Sequence, residues 1–300
     1  MSIQKIVEII NGALLGDGTI QEKDGKYFYF RYVAKDKKLI EWVMKLLKNN
    51  GIKKCYIVHD NKISDTWSVG FYINTQEYSG KIIELVEQWY IKLPNGKRFK
   101  VLPKNIELTP LTMLLWYIGD GSLIRHKNPN RVPWIVLATN NFSKEDVNFL
   151  ISKLKQLDMN FYAVRMKSGF HKGYAGYSLF SRAGNATPFN FFKYIGLKPP
   201  KEIANAIVGK RGSKIYRVKD KFPTEDDWIK MLSNVPSIGK LLNVKKKRIE
   251  MGLTQKQLAD IIGVSREMVR DFENGKRNMS LERFERLVSE MQISLSNLHK

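Results

Sequence analysis

The sequence has too few thiols and imidazoles for two common kinds of site. Cys55 is the only cysteine, and four histidines are dispersed through 300 residues. A disulfide framework needs paired cysteines, and a zinc site needs clustered cysteine and histidine ligands. Both are therefore excluded, and any catalytic metal must be held by oxygen atoms.

Acidic residues and long apolar runs are also scarce. Asp and Glu number 29 against 51 Lys and Arg, so the formal net charge is +22. The chain has no apolar run of about 18 residues and no signal-peptide pattern, so we expect a cytoplasmic protein that is not membrane-bound. Because basic residues are spread over predicted strands and loops, the excess charge favours a nucleic-acid partner over a membrane surface.

Helical periodicity occurs twice in front of the same tripeptide. A helix predicted from Ile3 to Leu15 ends in Gly16-Asp17-Gly18, and another that starts at Thr109-Pro110 ends in Gly119-Asp120-Gly121. Strand and helix candidates follow each of them in the order ββαββα. The two tripeptides are 103 residues apart, and the predicted caps of the next helices are 107 apart. These near-equal offsets predict a duplication whose two copies pack as a pseudo-dimer.

Each copy places an acid where a negative charge is unfavourable. Asp17 and Asp120 stand at helix C-termini, where free carbonyls and the helix dipole repel a carboxylate unless a cation compensates. Paired helices would bring both carboxylates and several backbone carbonyls to one point. Such oxygen ligands suit Mg²⁺, and two metals on a phosphodiester could activate water and stabilise the leaving oxygen. One Gly-Asp-Gly is ordinary turn chemistry, but two copies in equivalent contexts favour a metal site.

The segments 10–18 and 113–121 resemble the two LAGLIDADG motifs of single-chain homing endonucleases, and the similarity extends over about residues 1–205. The resemblance implies an α+β fold of tandem αββαββα half-domains that form a pseudo-dimer, with both sheets lying on double-stranded DNA. It also implies that Asp17 and Asp120 bind metal and that Gly16 and Gly119, beside them, are further metal-binding residues. Leu115 departs from the family pattern, which has a small residue there, and this bears on how closely the helices approach at Gly12.

The family also carries a basic residue near the active centre in each half. In the first half the match is Lys100, three residues before Pro103. In the second half we assign Lys201, with Lys198 as the alternative. The expected role is to orient or polarise the attacking water and the scissile phosphate, and a simple phosphate contact is the competing interpretation.

The last sixty residues change character and contain only helix candidates. Thr254-Gln255-Lys256-Gln257 has capping-box chemistry, Gly263 ends that helix, and Ser265 opens the next. The region 241–298 resembles the Cro/C1-type repressor domain. Its second helix is expected to enter the major groove. The residues expected to contact DNA are Arg266, Glu267 and Arg270, with Gln255 on the backbone.

The predicted domains are a first half-domain at 1–105, a second half-domain at 106–208, a linker with a short helix at 209–239, and an all-α helix-turn-helix domain at 240–300. We expect a monomeric, Mg²⁺-dependent homing endonuclease whose C-terminal domain adds DNA affinity or specificity, as in intron homing. A non-cleaving transcriptional regulator and an RNA-splicing maturase are the alternatives. Both acids are present, which disfavours the regulator, and the repressor-like tail points to a bacterial or phage setting.

Overall fold

A computed structural model describes residues 3–24, 26–61, 65–128, 130–166, 176–181, 186–235 and 237–293. Two predictions reach beyond these residues. The aromatic-rich sequence from residue 174 to 180 predicts a strand whose start lies outside them, and the end of the repressor-like region, from residue 294 onward, also lies outside them. Within the described ranges, no helix is both long enough and apolar enough to cross a bilayer.

The first half-domain has the predicted αββαββα order. Its four main strands form one antiparallel sheet in the order β1-β2-β4-β3, and a short hairpin follows the last helix. The elements are α1 (Ile3–Leu15), β1 (Gly18–Lys23), β2 (Tyr27–Ala34), α2 (Lys37–Asn49), β3 (Tyr56–Asp60), β4 (Thr66–Tyr72), a 3-10 helix (Ile73–Thr75), α3 (Ser79–Trp89), β5 (Tyr90–Lys92) and β6 (Arg98–Lys100).

The second half-domain repeats this arrangement. Its sheet has the order β7-β8-β10-β9, which is the same connectivity as the first sheet, so the predicted α+β fold and its duplication are confirmed. Thr109 caps the opening helix and Pro110 occupies its first turn, as expected from the sequence. The elements are α4 (Pro110–Asp120), β7 (Gly121–Ile124), β8 (Trp134–Ala138), α5 (Lys144–Gln156), β9 (Phe161–Arg165), β10 (Tyr177–Ser181) and α6 (Thr187–Ile195).

The two halves meet through α1 and α4, which pack side by side. At the crossing, the Thr112 hydroxyl donates a hydrogen bond to the Glu8 carbonyl at 3.1 Å. A Cβ on Gly12 would lie 2.5 Å from the Thr112 carbonyl oxygen and 2.8 Å from the Leu115 Cβ. The absence of a side chain at Gly12 therefore permits this contact, and Leu115 fits opposite it without separating the helices.

The segment expected to be a linker is folded against the second half-domain. It contains β11 (Ile207–Arg211), β12 (Lys214–Arg217), a 3-10 helix (Val218–Lys221) and α7 (Glu225–Leu232). Phe222 and Trp228 are buried, and both contact the ring of Phe192. The expected boundary at 208/209 falls inside β11, because the apolar residues of this segment complete the core of the second half.

The C-terminal region is helical, as predicted. Its helices are α8 (Ile238–Leu241), α9 (Val244–Glu250), α10 (Gln255–Ile262), α11 (Arg266–Glu273) and α12 (Leu281–Glu290). Leu258, Phe272, Phe284 and Leu287 form the centre of its core. Contacts between α7 and α12 join this domain to the segment that is folded against the second half-domain.

Substitution of Gly12 tests the importance of the helix crossing. We expect Gly12→Ala to lower stability by about 1–3 kcal/mol, because the added methyl group overlaps the backbone of α4. Gly80→Ala is the matched control, since a Cβ there meets no atom within 4 Å. Urea unfolding should separate the two variants, and equal midpoints would contradict the proposed close contact.

Candidate functional site

The two motif acids lie together where α1 and α4 end. A Cβ on Gly119 would be 3.3 Å from Asp17 Oδ2, and a Cβ on Gly16 would be 3.8 Å from the Asp120 backbone nitrogen. The glycine of each motif therefore lies against the acid-bearing residue of the other. The sequence analysis predicted this meeting point, and the structure brings both acids to it.

The strands that follow the acids place this point between the two sheets. β1 starts at Gly18 and β7 starts at Gly121, each immediately after an acid, and both are edge strands of their sheets. Asp17 reaches solvent and Asp120 is half-buried. A long ligand lying across both sheets would therefore pass over the two carboxylates.

The protein surroundings disfavour charge on both acids. Burial and the neighbouring Asp17 carboxylate raise the pKa of Asp120 from 3.8 to about 7, against the opposing effect of Lys221 and Lys100. Burial also raises the pKa of Asp17, although solvent reaches its side chain. The two lysines therefore do not fully compensate the acids, which is the condition under which a cation is attracted.

Two half-buried lysines stand beside the acids, one near the end of each motif. Lys100 Nζ donates to the Gly18 carbonyl at 3.4 Å, and Lys221 Nζ donates to the carbonyls of Ile118 and Gly119 at 2.7 and 3.0 Å. Burial lowers the pKa of each lysine to about 8, while the acids act in the opposite direction. Lys221 therefore covers two carbonyls in the last turn of α4 that have no partner within the helix, whereas Lys100 binds the first residue of β1.

In the second half-domain, the lysine that lies beside the acids is Lys221, whereas the residues predicted from the sequence were Lys201 and, as the alternative, Lys198. Both of the latter are exposed in the segment that follows α6. Lys100 follows Asp17 by 83 residues, whereas Lys221 follows Asp120 by 101 residues, because the β11–β12 hairpin intervenes. The nearby proline was the usable signal, since Lys221 stands two residues before Pro223.

The site can be tested for its fit to Mg²⁺. Among the described residues, no group of three or more His, Cys, Asp or Glu side chains could hold a metal, so two carboxylates are the acidic ligands on offer. Mg²⁺ accepts such a set, because it retains waters and takes oxygens from a phosphate substrate. The Tyr32 hydroxyl is buried without a partner, and both acids raise its pKa further, so a hydrated cation would suit this position. Gly119 was expected to contribute to the metal site, but its carbonyl accepts a hydrogen bond from Lys221.

The outward faces of the two sheets differ in chemistry. In the first sheet, Arg31 and Lys23 stand among polar and aromatic neighbours, and the Lys23 ammonium lies 4.9 Å from the Tyr29 ring centroid. The equivalent positions in the described strands of the second sheet have no charged side chain. These positions are Ser122, Ile124, Trp134, Val136, Ala138, Tyr162, Val164, Ser178 and Phe180.

The predicted DNA-contacting residues of the helix-turn-helix differ in exposure: those on α11 are exposed, and the one on α10 is half-buried. Thr254 and Gln257 form the capping box, and Gly263 takes the left-handed conformation in the turn. The side chains of Arg266, Glu267 and Arg270 are exposed on α11.

Gln255 differs from these three residues, because its amide donates to Glu273 Oε2 at 2.9 Å. Glu273 is also bound by the buried Arg248, at 2.6 Å between Nε and Oε1. Gln255 is therefore tied to an internal ion pair, and this tie orients it at the start of α10.

The chain thus combines two acid-bearing helices, each leading into an antiparallel sheet, with a C-terminal helix-turn-helix, an arrangement typical of DNA-binding proteins. The family model described as the LAGLIDADG DNA endonuclease family matches residues 7–173, more than half of the chain. The chain belongs to this family. A helix-turn-helix model matches residues 244–298, so both resemblances inferred from the sequence are confirmed.

One curated relative is similar to about half of the chain. An uncharacterised protein of Methanocaldococcus jannaschii is 29% identical over 153 residues, which are 49% of this chain and 54% of that protein. The chain thus spans about half the length of this curated relative.

Three solved structures are similar at low identity. The homing endonuclease I-WcaI bound to its DNA recognition sequence is 18% identical, covers 65% of this chain and 82% of its own, and gives a TM-score of 0.48. The N-terminal LAGLIDADG domain of DUF199/WhiA is 13% identical, covers 67% of this chain and 86% of its own, and gives a TM-score of 0.41. The meganuclease I-AabMI bound to uncleaved DNA is 11% identical, covers 91% of this chain and 99% of its own, and gives a TM-score of 0.37.

Removal of one acidic charge should stabilise the metal-free protein. The raised pKa of Asp120 means that folding is penalised once pH exceeds the unfolded value of 3.8, and the penalty is complete above about 7. We expect Asp120→Asn to gain about 2 kcal/mol at pH 8, less than the ~4 kcal/mol of the full shift, because solvent reaches the carboxyl.

The gain should vanish towards pH 4, where the carboxyl is protonated in the folded protein. Thermal unfolding in EDTA at both pH values measures this, with the exposed Asp260→Asn as control. A gain of equal size at both pH values would contradict the electrostatic explanation.

Proposed function

We propose that the protein is a site-specific endonuclease that makes Mg²⁺-dependent double-strand breaks in a long DNA target. The observation that carries this proposal is the meeting of two carboxylates and two half-buried lysines at the junction of two sheets. A scaffold that only bound DNA would have no need for like charges held together at a cost in stability.

Asp17 and Asp120 are the residues that would hold the divalent ions. When bound, these ions would supply activation of water and stabilisation of the leaving oxygen. The acids come from different halves of a two-fold arrangement, so each half would serve one DNA strand. Because both motifs belong to one chain, we propose that a monomer suffices.

Lys100 and Lys221 contribute charge and a proton site. A pKa of about 8 leaves a lysine mostly protonated at neutral pH but able to exchange its proton. The carbonyl contacts hold each ammonium in place beside the acids, so the protonated form can stabilise negative charge that develops on the scissile phosphate. The neutral form can accept a proton from water.

The C-terminal domain would act as a second point of attachment. Once either module has bound, the other reaches DNA at a high effective concentration, since contacts between α7 and α12 keep them close. Arg266, Glu267 and Arg270 would face the DNA in this arrangement. We propose that the domain adds affinity or specificity to cleavage by the first 235 residues.

Cleavage can be tested before the target sequence has been identified. We expect the wild type to produce discrete double-strand breaks in randomised or genomic DNA in Mg²⁺, detected by sequencing of captured ends. Asp17→Asn/Asp120→Asn should lose these breaks while it still binds DNA, because the variant removes the metal ligands and leaves the basic surfaces intact.

Binding in Ca²⁺ provides the control for folding and DNA recognition. Sequence-specific binding without breaks in any divalent metal would overturn the nuclease proposal in favour of a transcriptional regulator. Preferential binding of structured RNA over DNA, again without breaks, would favour a maturase.

A comparison of lysines tests the assignment in the second half. We expect Lys221→Met to slow single-turnover cleavage of the identified target by about 100-fold or more, because it removes a group beside the reacting phosphate. Lys201→Met, an exposed position, is the matched control and should cleave close to the wild-type rate. The reverse ranking would restore Lys201 as the active residue.

A further inference from the structure

The hairpin after the second half-domain forms a cleft with the edge strand β7. The cleft has a volume of about 980 Å³ and opens to solvent beside the candidate active site. Ser122, Ile124 and Arg125 line one wall, and the hairpin with the following 3-10 helix lines the other. Lys221 belongs both to this cleft and to the cluster around Asp17 and Asp120.

The lining of the cleft is strongly basic. It includes six cationic side chains and one acidic side chain, Asp220. Asp220 is engaged locally, since its carboxylate accepts from the Arg217 backbone nitrogen at 2.7 Å. The exposed cationic residues at the mouth are Lys210, Lys214 and Lys219. Such a concentration of positive charge selects a polyanion.

The hairpin and the 3-10 helix that follows it are held in position by contacts from both half-domains. The first residue of the hairpin, Ile207, donates its backbone N–H to Asp36 at 2.8 Å, and Asp36 also caps α2 of the first half. From the second half, the Arg125 side chain donates to the carbonyls of Asp220 and Phe222 at 3.2 and 3.1 Å. The basic wall is therefore a fixed feature of the nuclease-like part.

The cleft lies next to the outward face of the second sheet, which among the described residues has fewer charged side chains than the outward face of the first. In the described strands of that sheet the outward residues are uncharged, whereas the first sheet carries Arg31 and Lys23 on its outward face. Ile124 and Ser122 belong both to that uncharged face and to the wall of the cleft. The hairpin thus adds positive charge next to the part of the DNA-facing surface that lacks it.

We propose that the β11–β12 hairpin and the 3-10 helix that follows it form a phosphate clamp that binds the DNA backbone next to the cleavage centre on the side of the second half-domain. Lys210, Lys214 and Lys219 would contact phosphates directly, and Lys221 would connect this path to the active site. The inference rests on the proposed function, because it takes the same DNA as its ligand.

Charge removal with a matched control tests the clamp in the full-length protein. The test variant is Lys210→Gln/Lys214→Gln/Lys219→Gln. The control, Lys45→Gln/Lys81→Gln/Lys155→Gln, removes the same charge from exposed positions on α2, α3 and α5. Binding to the duplex with the identified site, and to one of unrelated sequence, is measured in Ca²⁺ over a range of KCl concentrations.

The clamp predicts a specific loss of salt dependence. Each phosphate contact adds about 0.9 to the slope of log affinity against log salt, so the test variant should lose about 2–3 units of slope and about tenfold or more in affinity on both duplexes. The control should keep the wild-type slope. Thermal unfolding checks that all variants are folded. If the triple variant does not fold, Lys214→Gln alone replaces it, and this single variant should lose about one unit of slope.

Other outcomes separate this proposal from the proposed function. Wild-type cleavage together with equal slopes for the test and control variants would overturn the clamp and leave the nuclease standing. Binding without cleavage, with the slope loss confined to the test variant, would support the clamp and remove the nuclease. Binding of inorganic pyrophosphate that depends on the three lysines, with unchanged DNA slopes, would assign the cleft to a small anion and overturn the clamp.

Discussion

The close contact between α1 and α4 is the constraint on which the candidate site depends. Asp17 and Asp120 are far apart in sequence, and they meet because two apolar helices pack with a glycine at the crossing. A larger residue at Gly12 would push the helices apart and separate the carboxylates. Packing energy in the core therefore sets the position of two groups that would otherwise repel each other.

The same contact explains the unusual electrostatics of the centre. Both acids stand at helix C-termini, where the local field already disfavours negative charge. The positive charges of Lys221 and Lys100 offset this in part, and hydrogen bonds to the carbonyls of Ile118, Gly119 and Gly18 hold the two ammonium groups beside the acids. The two carboxylates therefore lower the stability of the metal-free protein, as is common at functional sites.

The two halves share a fold but have diverged on the surface. The first sheet presents charged and aromatic groups outward, while the second presents mainly apolar ones. The segment after the second half compensates for this difference, since it completes the core through Phe222 and adds both the basic hairpin and Lys221. Duplication therefore supplied two equivalent acids, and a later segment of the chain supplied basic side chains next to the described strands of the second sheet, whose outward residues are uncharged.

The sequence by itself determined the repeated αββαββα order, the motif acids and the helix-turn-helix, because helical periodicity, capping residues and Gly-Asp-Gly turns are local signals. Lys100 was predicted only through the family resemblance. Lys221 and the folded hairpin were not predictable in either way. Their neighbours come from β7, α4 and α2, so their roles arise from contacts between residues far apart in the chain. Local patterns specify which elements form, but only tertiary packing decides which of two similar basic residues reaches the acids.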